Sequence, residues 1–477
     1  MRVLLFLLLF YLPLSAEYVH SKKSLQHIQQ GIDKILNKID QNVHVGIEVV
    51  SLETKQRLYE KNAHKLFVPA STTKLFVAGA ALSTLGPHFT FETSLLTDGP
   101  VKDHTIRGNV YLQGSGDPSF TLNDLEQMVL ILRLSQVKEI QGDLIVDHFA
   151  FDSFPEGPGW MWDDIHSVSY SPMNALSINH NCLNVWVRPA DKVATPPRVF
   201  AYPKTGYVKI ENHATTGEKE EIPSLGRVLR MKRNTIQVKG EIGIRSDIQS
   251  FQIPIEGPHL YAVTLLHSVL KKAGIEWKGK MRVQKAPTHA AVLASHRSAP
   301  LSVLLHNTLK KSDNLYADNL FKKVGQIHFE EQGTWKNGSK AVRHHLEQEA
   351  GLAISDLVLV DGSGLSRYNL ASPHHFTSYL SWLYNHFPYS AELLSALSLA
   401  GKDGILKSRF APNPPNLRAK SGTMAGISTL SGYLQTADGE PLAFSIMING
   451  FTEKAAFYKA DVEDPICTFL AKLSRNE

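Results

Sequence analysis

Cysteine is nearly absent: Cys182 and Cys467, far apart, are the only two in 477 residues. A disulfide-stapled scaffold is therefore excluded, and two separate buried thiols are the expectation. Metal-ligand spacing is missing too. His344-His345-x-Glu347 and His374-His375 match neither HExxH nor a Cys/His pattern, the first reading as a solvated helix face, so no metal is expected. Gly114-x-Gly116 and Gly362-x-Gly364 lack the third glycine of a dinucleotide loop and read as turns. Neither charge sign dominates, with 50 Lys and Arg against 45 Asp and Glu and a formal charge of +5. That balance implies no nucleic-acid partner. After the N-terminus no run is apolar enough to cross a bilayer, and Val3 to Leu14 is itself short for one. With Met1-Arg2 before it and Ser15-Ala16 after it, that run reads as a signal peptide over 1–16, the alternative being an uncleaved anchor. The mature chain is then expected to be periplasmic, with no membrane span. Internal repeats, low-complexity segments and long linkers are absent as well.

What remains is an ordinary mixed sequence long enough for two or three domains. Leu25, Ile28, Ile32, Ile35, Leu36 and Ile39 share one face of a helix expected over 24–40. Val45 to Glu60 reads as a hairpin around Leu52-Glu53-Thr54-Lys55, and Ser428 to Leu434 with Leu442 to Ile448 reads as another. Pairing of the two hairpins would build one sheet from both chain ends. The middle differs, with short strands such as Asn109 to Leu112 and Asp143 to Val146 and two helices, Leu122 to Leu134 and Leu260 to Lys272. Val199 to Ile210 and Arg227 to Ile244 read as strands of a small β unit. The expected organisation is a discontinuous domain over 17–87 and 296–477, an inserted domain over 88–184 and 258–295, and a nested β domain over 185–257.

Three short motifs carry the chemistry. Ser71-Thr72-Thr73-Lys74 follows Pro69 and opens an apolar helix, so that Lys74 shares a face with Ser71. A serine hydroxyl attacks an amide at neutral pH only with a base in hydrogen-bond reach. An amine serves as that base only when neutral, which requires desolvation or a neighbouring cation, and Lys420 is the candidate cation. A second Ser-x-x-Lys, Ser135 to Lys138, reads as a polar helix end. In Ser312-Asp313-Asn314, Ser312 is placed to relay a proton to a leaving amine and Asn314 to bond Lys74 and a substrate amide. Lys420-Ser421-Gly422-Thr423 reads as a strand edge that aligns an extended peptide, its Lys and hydroxyls holding a carboxylate. Backbone N–H groups of Ser71 and Thr423 are the expected oxyanion hole.

In this order the motifs resemble those of penicillin-interacting serine hydrolases. The long gap from Ser71 to Ser312 is similar to the D-alanyl-D-alanine carboxypeptidase/endopeptidase family, the S13 peptidases among the low-molecular-mass class C penicillin-binding proteins. So are Gly114-Ser115-Gly116-Asp117-Pro118, Gly157-Pro158-Gly159-Trp160-Met161-Trp162-Asp163-Asp164 and Asp361-Gly362-Ser363-Gly364-Leu365-Ser366-Arg367. The resemblance implies an α/β (α+β) fold, with a β-lactamase/transpeptidase-like catalytic domain and a large, mainly β insertion between the first two motifs. It implies hydrolysis of peptidoglycan stem peptides or cross-links through an acyl-serine, acylation by β-lactam antibiotics, and no cofactor. By the same resemblance Ser421, Gly422, Thr423, Asp164 and Arg367 contact substrate, Asp164 and Arg367 standing equally well as a turn cap and a solvated arginine. Ser421 departs from the family's usual Thr, which keeps the hydroxyl and changes the pocket's shape. A β-lactamase stays open, although no Glu-x-x-Leu-Asn lies between Ser312 and Lys420. A non-catalytic wall-binding protein stays open as well, and so does a homodimer.

Overall fold

The computed structural model describes residues 11–218, 227–231 and 234–474. Most of the apolar N-terminal run, residues 1–10, lies outside the described residues. One six-stranded sheet joins the two chain ends. Its strands are β1 (His44–Ser51), β2 (Arg57–Lys61), β3 (Ser398–Leu399), β4 (Leu417–Met424), β5 (Ile427–Gln435) and β6 (Pro441–Asn449), in spatial order β3-β4-β5-β6-β1-β2. The seam between the ends is antiparallel and complete, from His44 opposite Asn449 to Ser51 opposite Leu442.

Alternation along these strands explains why both faces are covered. Phe444, Ile446 and Ile448 point to one side, where they meet Ile28, Ile32 and Leu36 of α1 (Tyr11–Leu36) and Ile466 and Leu470 of the C-terminal helix Asp464–Ala471. Ala443 and Met447 point to the other, into a core with Phe76 of α2 (Lys74–Leu85) and with Phe376 and Tyr379 of a helix over Pro373–Tyr384. The rings of Phe76 and Phe376 stack at 4.5 Å. Each fully buried Leu, Ile or Phe contributes about 1.5–3 kcal/mol, so this three-layer core anchors α2 firmly. Tyr433 Oη adds a bond of 2.8 Å to the Leu380 carbonyl.

Between α2 and the helix α3 (Asn314–Phe329) lies the insertion. Its five-stranded sheet orders Met281–Val283, Leu144–Asp147, Val110–Gln113, Glu92–Thr97 and Ala291–Arg297. Two three-stranded sheets follow, built from Cys182–Arg188, Arg198–Tyr202 and Gln249–Pro254, and from Lys209–Gly217, Arg227–Met231 and Thr235–Gly243. Val185 and Val238 of these small sheets share one apolar cluster with Leu112, Val146 and Leu266.

Several local expectations change. The first helix ends at Leu36, and Ile39 packs from the turn beyond it. Val199 to Ile210 is not one strand: Pro203 has no N–H for a ladder and Gly206 loosens the chain, so strand recurs only at Lys209. His345 is buried, with Nε2 at 2.8 Å from Tyr379 Oη and Nδ1 at 2.9 Å from Glu349, so only part of the His344-His345 pair is solvated. Cys182 and Cys467 are both buried, and they are not joined in a disulfide.

Candidate active site

Ser71 sits not in an α-helix but in a 3-10 turn, Ala70–Thr73, that leads directly into α2 at Lys74. The turn is clamped from the sheet. Asn449 Oδ1 accepts the Val68 N–H at 2.8 Å, and Thr429 Oγ1 donates to the Pro69 carbonyl at 2.9 Å. Ala70 is held at φ +48°, in the left-handed region that costs a non-glycine residue energy. Gly364 supports it so closely that a Cβ there would lie 1.9 Å from the Ala70 carbonyl oxygen. Ser71, the next residue, lines the cleft.

Lys74 is fully buried and all its bonds face the site. Its Nζ lies 2.9 Å from Ser71 Oγ, 2.7 Å from Asn314 Oδ1 and 2.6 Å from the Ser363 carbonyl. Burial lowers the amine from 10.5 to about 8, against the opposing charges of Asp318, Asp361 and Asp313. Desolvation is therefore the main cause that brings the neutral amine within reach. Lys420 is shifted in the same direction: burial, then Lys74, then Lys459 push it well below the usual lysine range. Its ammonium donates to the Ser421 carbonyl and its side chain is fully buried. Two further N–H groups of this ammonium are left for a ligand.

Asp313 N-caps α3, its Oδ1 accepting the Tyr316 N–H at 3.2 Å. Ser312 precedes it at φ +60°. Asn314 divides its amide between two distant parts of the chain, Oδ1 on Lys74 and Nδ2 donating to the Ser169 carbonyl at 2.9 Å. Further bonds lock the insertion to the same helix: His180 Nε2 to Asp313 Oδ2 at 3.0 Å and Asn319 Nδ2 to the Gly116 carbonyl at 2.8 Å.

The strand β4 closes the cleft. Ser398 and Leu399 of β3 pair with Ala419 and Arg418 only, which leaves Lys420 to Met424 as an open edge. Gly422 has to be glycine, because a Cβ would lie 2.4 Å from Thr429 Oγ1 and 2.8 Å from Ser71 N. Ser71, Ser312, Asn314, Ser421 and Thr423 line one cavity of about 440 Å³, together with Ser169, Leu365, Ile405, Met424, Lys311 and Lys459.

Asp164 and Arg367 stand outside that lining. Asp164 lies on a short turn, Trp162–His166, where burial and then Asp163 raise its carboxyl while Arg367 opposes them. Arg367 Nη2 donates to the Ala425 carbonyl at 3.1 Å, just beyond the end of β4. Both therefore flank the cleft's outer rim.

Asp318 escaped the sequence reading. One helical turn after Asn314, it is fully buried, and its Oδ1 accepts the Gly362 and Ser363 N–H groups at 2.8 Å each. Burial, then the Asp361 charge, push it up to about 8. The i, i+4 spacing from Asn314 was the available signal. Asp361 is better supplied: Trp160 Nε1 at 2.9 Å, Asn369 Nδ2 at 2.6 Å and the Gly364 and Ser366 N–H groups all donate to it. The Trp160 bond ties the Trp-rich insert loop to the loop that carries the Ser363 carbonyl.

Acyl transfer to Ser71 is the chemistry such a cleft supports, and a three-layer domain with that cleft at the edge of its sheet defines the penicillin-interacting serine hydrolases. The model of the D-Ala-D-Ala carboxypeptidase 3 (S13) family matches residues 28–473. D-alanyl-D-alanine carboxypeptidase DacB of Haemophilus influenzae is 30% identical over 428 residues, covering 88% of each chain. The D-alanyl-D-alanine carboxypeptidase of an Actinomadura species is 31% identical over 471 residues, 95% of this chain and 86% of that one. The crystal structure of penicillin-binding protein 4 (dacB) from Haemophilus influenzae superposes with a TM-score of 0.83 at 28% identity, covering 93% of this chain and 99% of that one. The same protein complexed with a β-lactam gives a TM-score of 0.77. The chain belongs to the D-Ala-D-Ala carboxypeptidase 3 (S13) family.

Proposed function

We propose that the protein is a serine-type D-Ala-D-Ala carboxypeptidase with endopeptidase capacity, acting on peptidoglycan stem peptides and D-Ala to meso-diaminopimelate cross-links. The observation that carries this is the neutral-prone amine of Lys74 at 2.9 Å from Ser71 Oγ, beside an open strand edge. Lys74 takes the Ser71 proton as Oγ bonds the carbonyl carbon before the terminal residue. The oxyanion is received by the N–H groups of Ser71 and Thr423. The C–N bond then breaks, the departing amine takes a proton through Ser312, and water resolves the acyl-serine. Gly422 lets the strand approach Ser71, Ser421 and Thr423 offer hydroxyls to the peptide, and Asp164 with Arg367 meets the stem at the rim.

A β-lactam enters the same cleft and acylates Ser71, but its leaving amine stays attached and slows deacylation. The run Met1 to Ala16 serves export to the periplasm. Among the described residues no helix is long and apolar enough to cross a membrane. The test is intact-protein mass spectrometry after incubation with benzylpenicillin. A stoichiometric adduct on the wild type and none on Ser71→Ala is the expected result. An intact drug with no adduct would indicate a binding protein, and a consumed drug with no adduct a β-lactamase.

A further inference from the structure

Lys420, the cation that the motif offers for a carboxylate, is buried and donates to the Ser421 carbonyl. A different cation faces the cavity. Lys459 lines it beside Ser421, Thr423 and Met424. It opens a five-residue π-helical turn, Lys459–Glu463, an irregularity that often marks functional positions. Of the acids that follow it, Asp461 is exposed, and the two whose charges act on it, Glu463 and Asp464, are already engaged. Glu463 is fully buried between Arg409 Nη2, at 2.8 Å, and Ser428 Oγ, at 2.6 Å, and Asp464 also bonds Arg409. The half-buried ammonium of Lys459 has no direct hydrogen bond or ion pair among the described residues; burial lowers it, and Glu463, Arg409 and Asp464 act on it only through their charge. A partly desolvated cation without a direct partner at the wall of a cleft is built for an anion from the ligand. Lys311, the other lysine at the cavity, is exposed, so water competes with any anion it meets.

We propose that Lys459 is the specificity-determining residue that reads the carboxylate on the carbon next to the scissile nitrogen. This rests on the functional reading above and deepens it. In a stem peptide that carboxylate is the terminal D-Ala carboxylate. In a D-Ala to meso-diaminopimelate cross-link it is the carboxylate at the D-centre of diaminopimelate, in the same relation to the scissile bond. One cation therefore admits both substrates to one nucleophile. It selects against leaving groups without that charge, such as a C-terminal amide or a plain side-chain amine.

The experiment compares kcat/KM of the mature enzyme for an N-acetylated tripeptide ending in D-Ala-D-Ala, as free acid and as C-terminal amide. A charged hydrogen bond contributes about 1.5–3 kcal/mol, so the wild type should prefer the acid by about 10- to 100-fold. In Lys459→Gln the preference should collapse toward one, and Lys459→Arg should restore it. Acylation by benzylpenicillin against its methyl ester gives the same ratio without peptide turnover. An acid preference retained in Lys459→Gln, or lost only in Lys311→Gln, overturns the proposal. Equal handling of acid and amide by a wild type that benzylpenicillin acylates overturns the inference alone. A wild type that is not acylated overturns the functional reading and the inference with it.

Discussion

Acylation should follow the neutral form of Lys74, and that dependence can be worked from the structure. Lys74 is fully buried and held at about 8 instead of 10.5, mainly by desolvation. At pH 7 roughly a tenth of the molecules then carry the free amine, against roughly three in ten thousand for an ordinary lysine, a difference of about 3 kcal/mol. The sign follows from which form is the base: deprotonation activates, so the rate rises with pH. The second-order rate of acylation by benzylpenicillin, measured by quenched-flow mass spectrometry, should climb about 50-fold from pH 6 to pH 8 and level off above that. Lys74→Arg, which keeps the charge but is never neutral, should lower the rate by about 10²- to 10⁴-fold across the whole range. Thermal melting at each pH separates loss of rate from loss of fold. A flat profile between pH 6 and pH 9, or wild-type rates in Lys74→Arg, would refute Lys74 as the base.

Two further substitutions probe the surroundings. In Gly422→Ala the new Cβ must push β4 away from Thr429 and Ser71. Overpacking of this kind costs about 1–3 kcal/mol, and a displaced oxyanion donor lowers acylation by about 10²–10³-fold. Normal acylation by a folded Gly422→Ala enzyme would remove β4 from the oxyanion hole. Trp160→Phe takes one donor from the buried Asp361, a loss of about 1.5–3 kcal/mol for a charged acceptor. A lower thermal midpoint and slower acylation should appear together. Unchanged values for both would show that the insert loop does not brace the Ser363 loop.

Much was legible in the order of residues because it depends on short-range rules. The period of Ile28, Ile32 and Leu36 specifies a helix face, the alternation in Ile427–Gln435 and Pro441–Asn449 specifies strands, and a three-residue spacing puts Lys74 next to Ser71. The near absence of cysteine likewise removed a disulfide framework before any fold was considered. Those features are local, or they are composition.

The tertiary structure alone decided the charges and the closures. Whether Lys74 is a base depends on how much water the fold removes from it, and neither Ser71 nor Lys420 reports that in sequence. Lys420 proved to be enclosed and Lys459 to face the cavity, because a π-helical turn near the C-terminus brings Lys459 to the wall of a cleft that also holds Ser71, hundreds of residues earlier. Asp318 gained its altered carboxyl from burial against Asp361, a neighbour that only folding supplies. Spacing is written into the chain, whereas desolvation and long-range proximity exist only once the layers have packed.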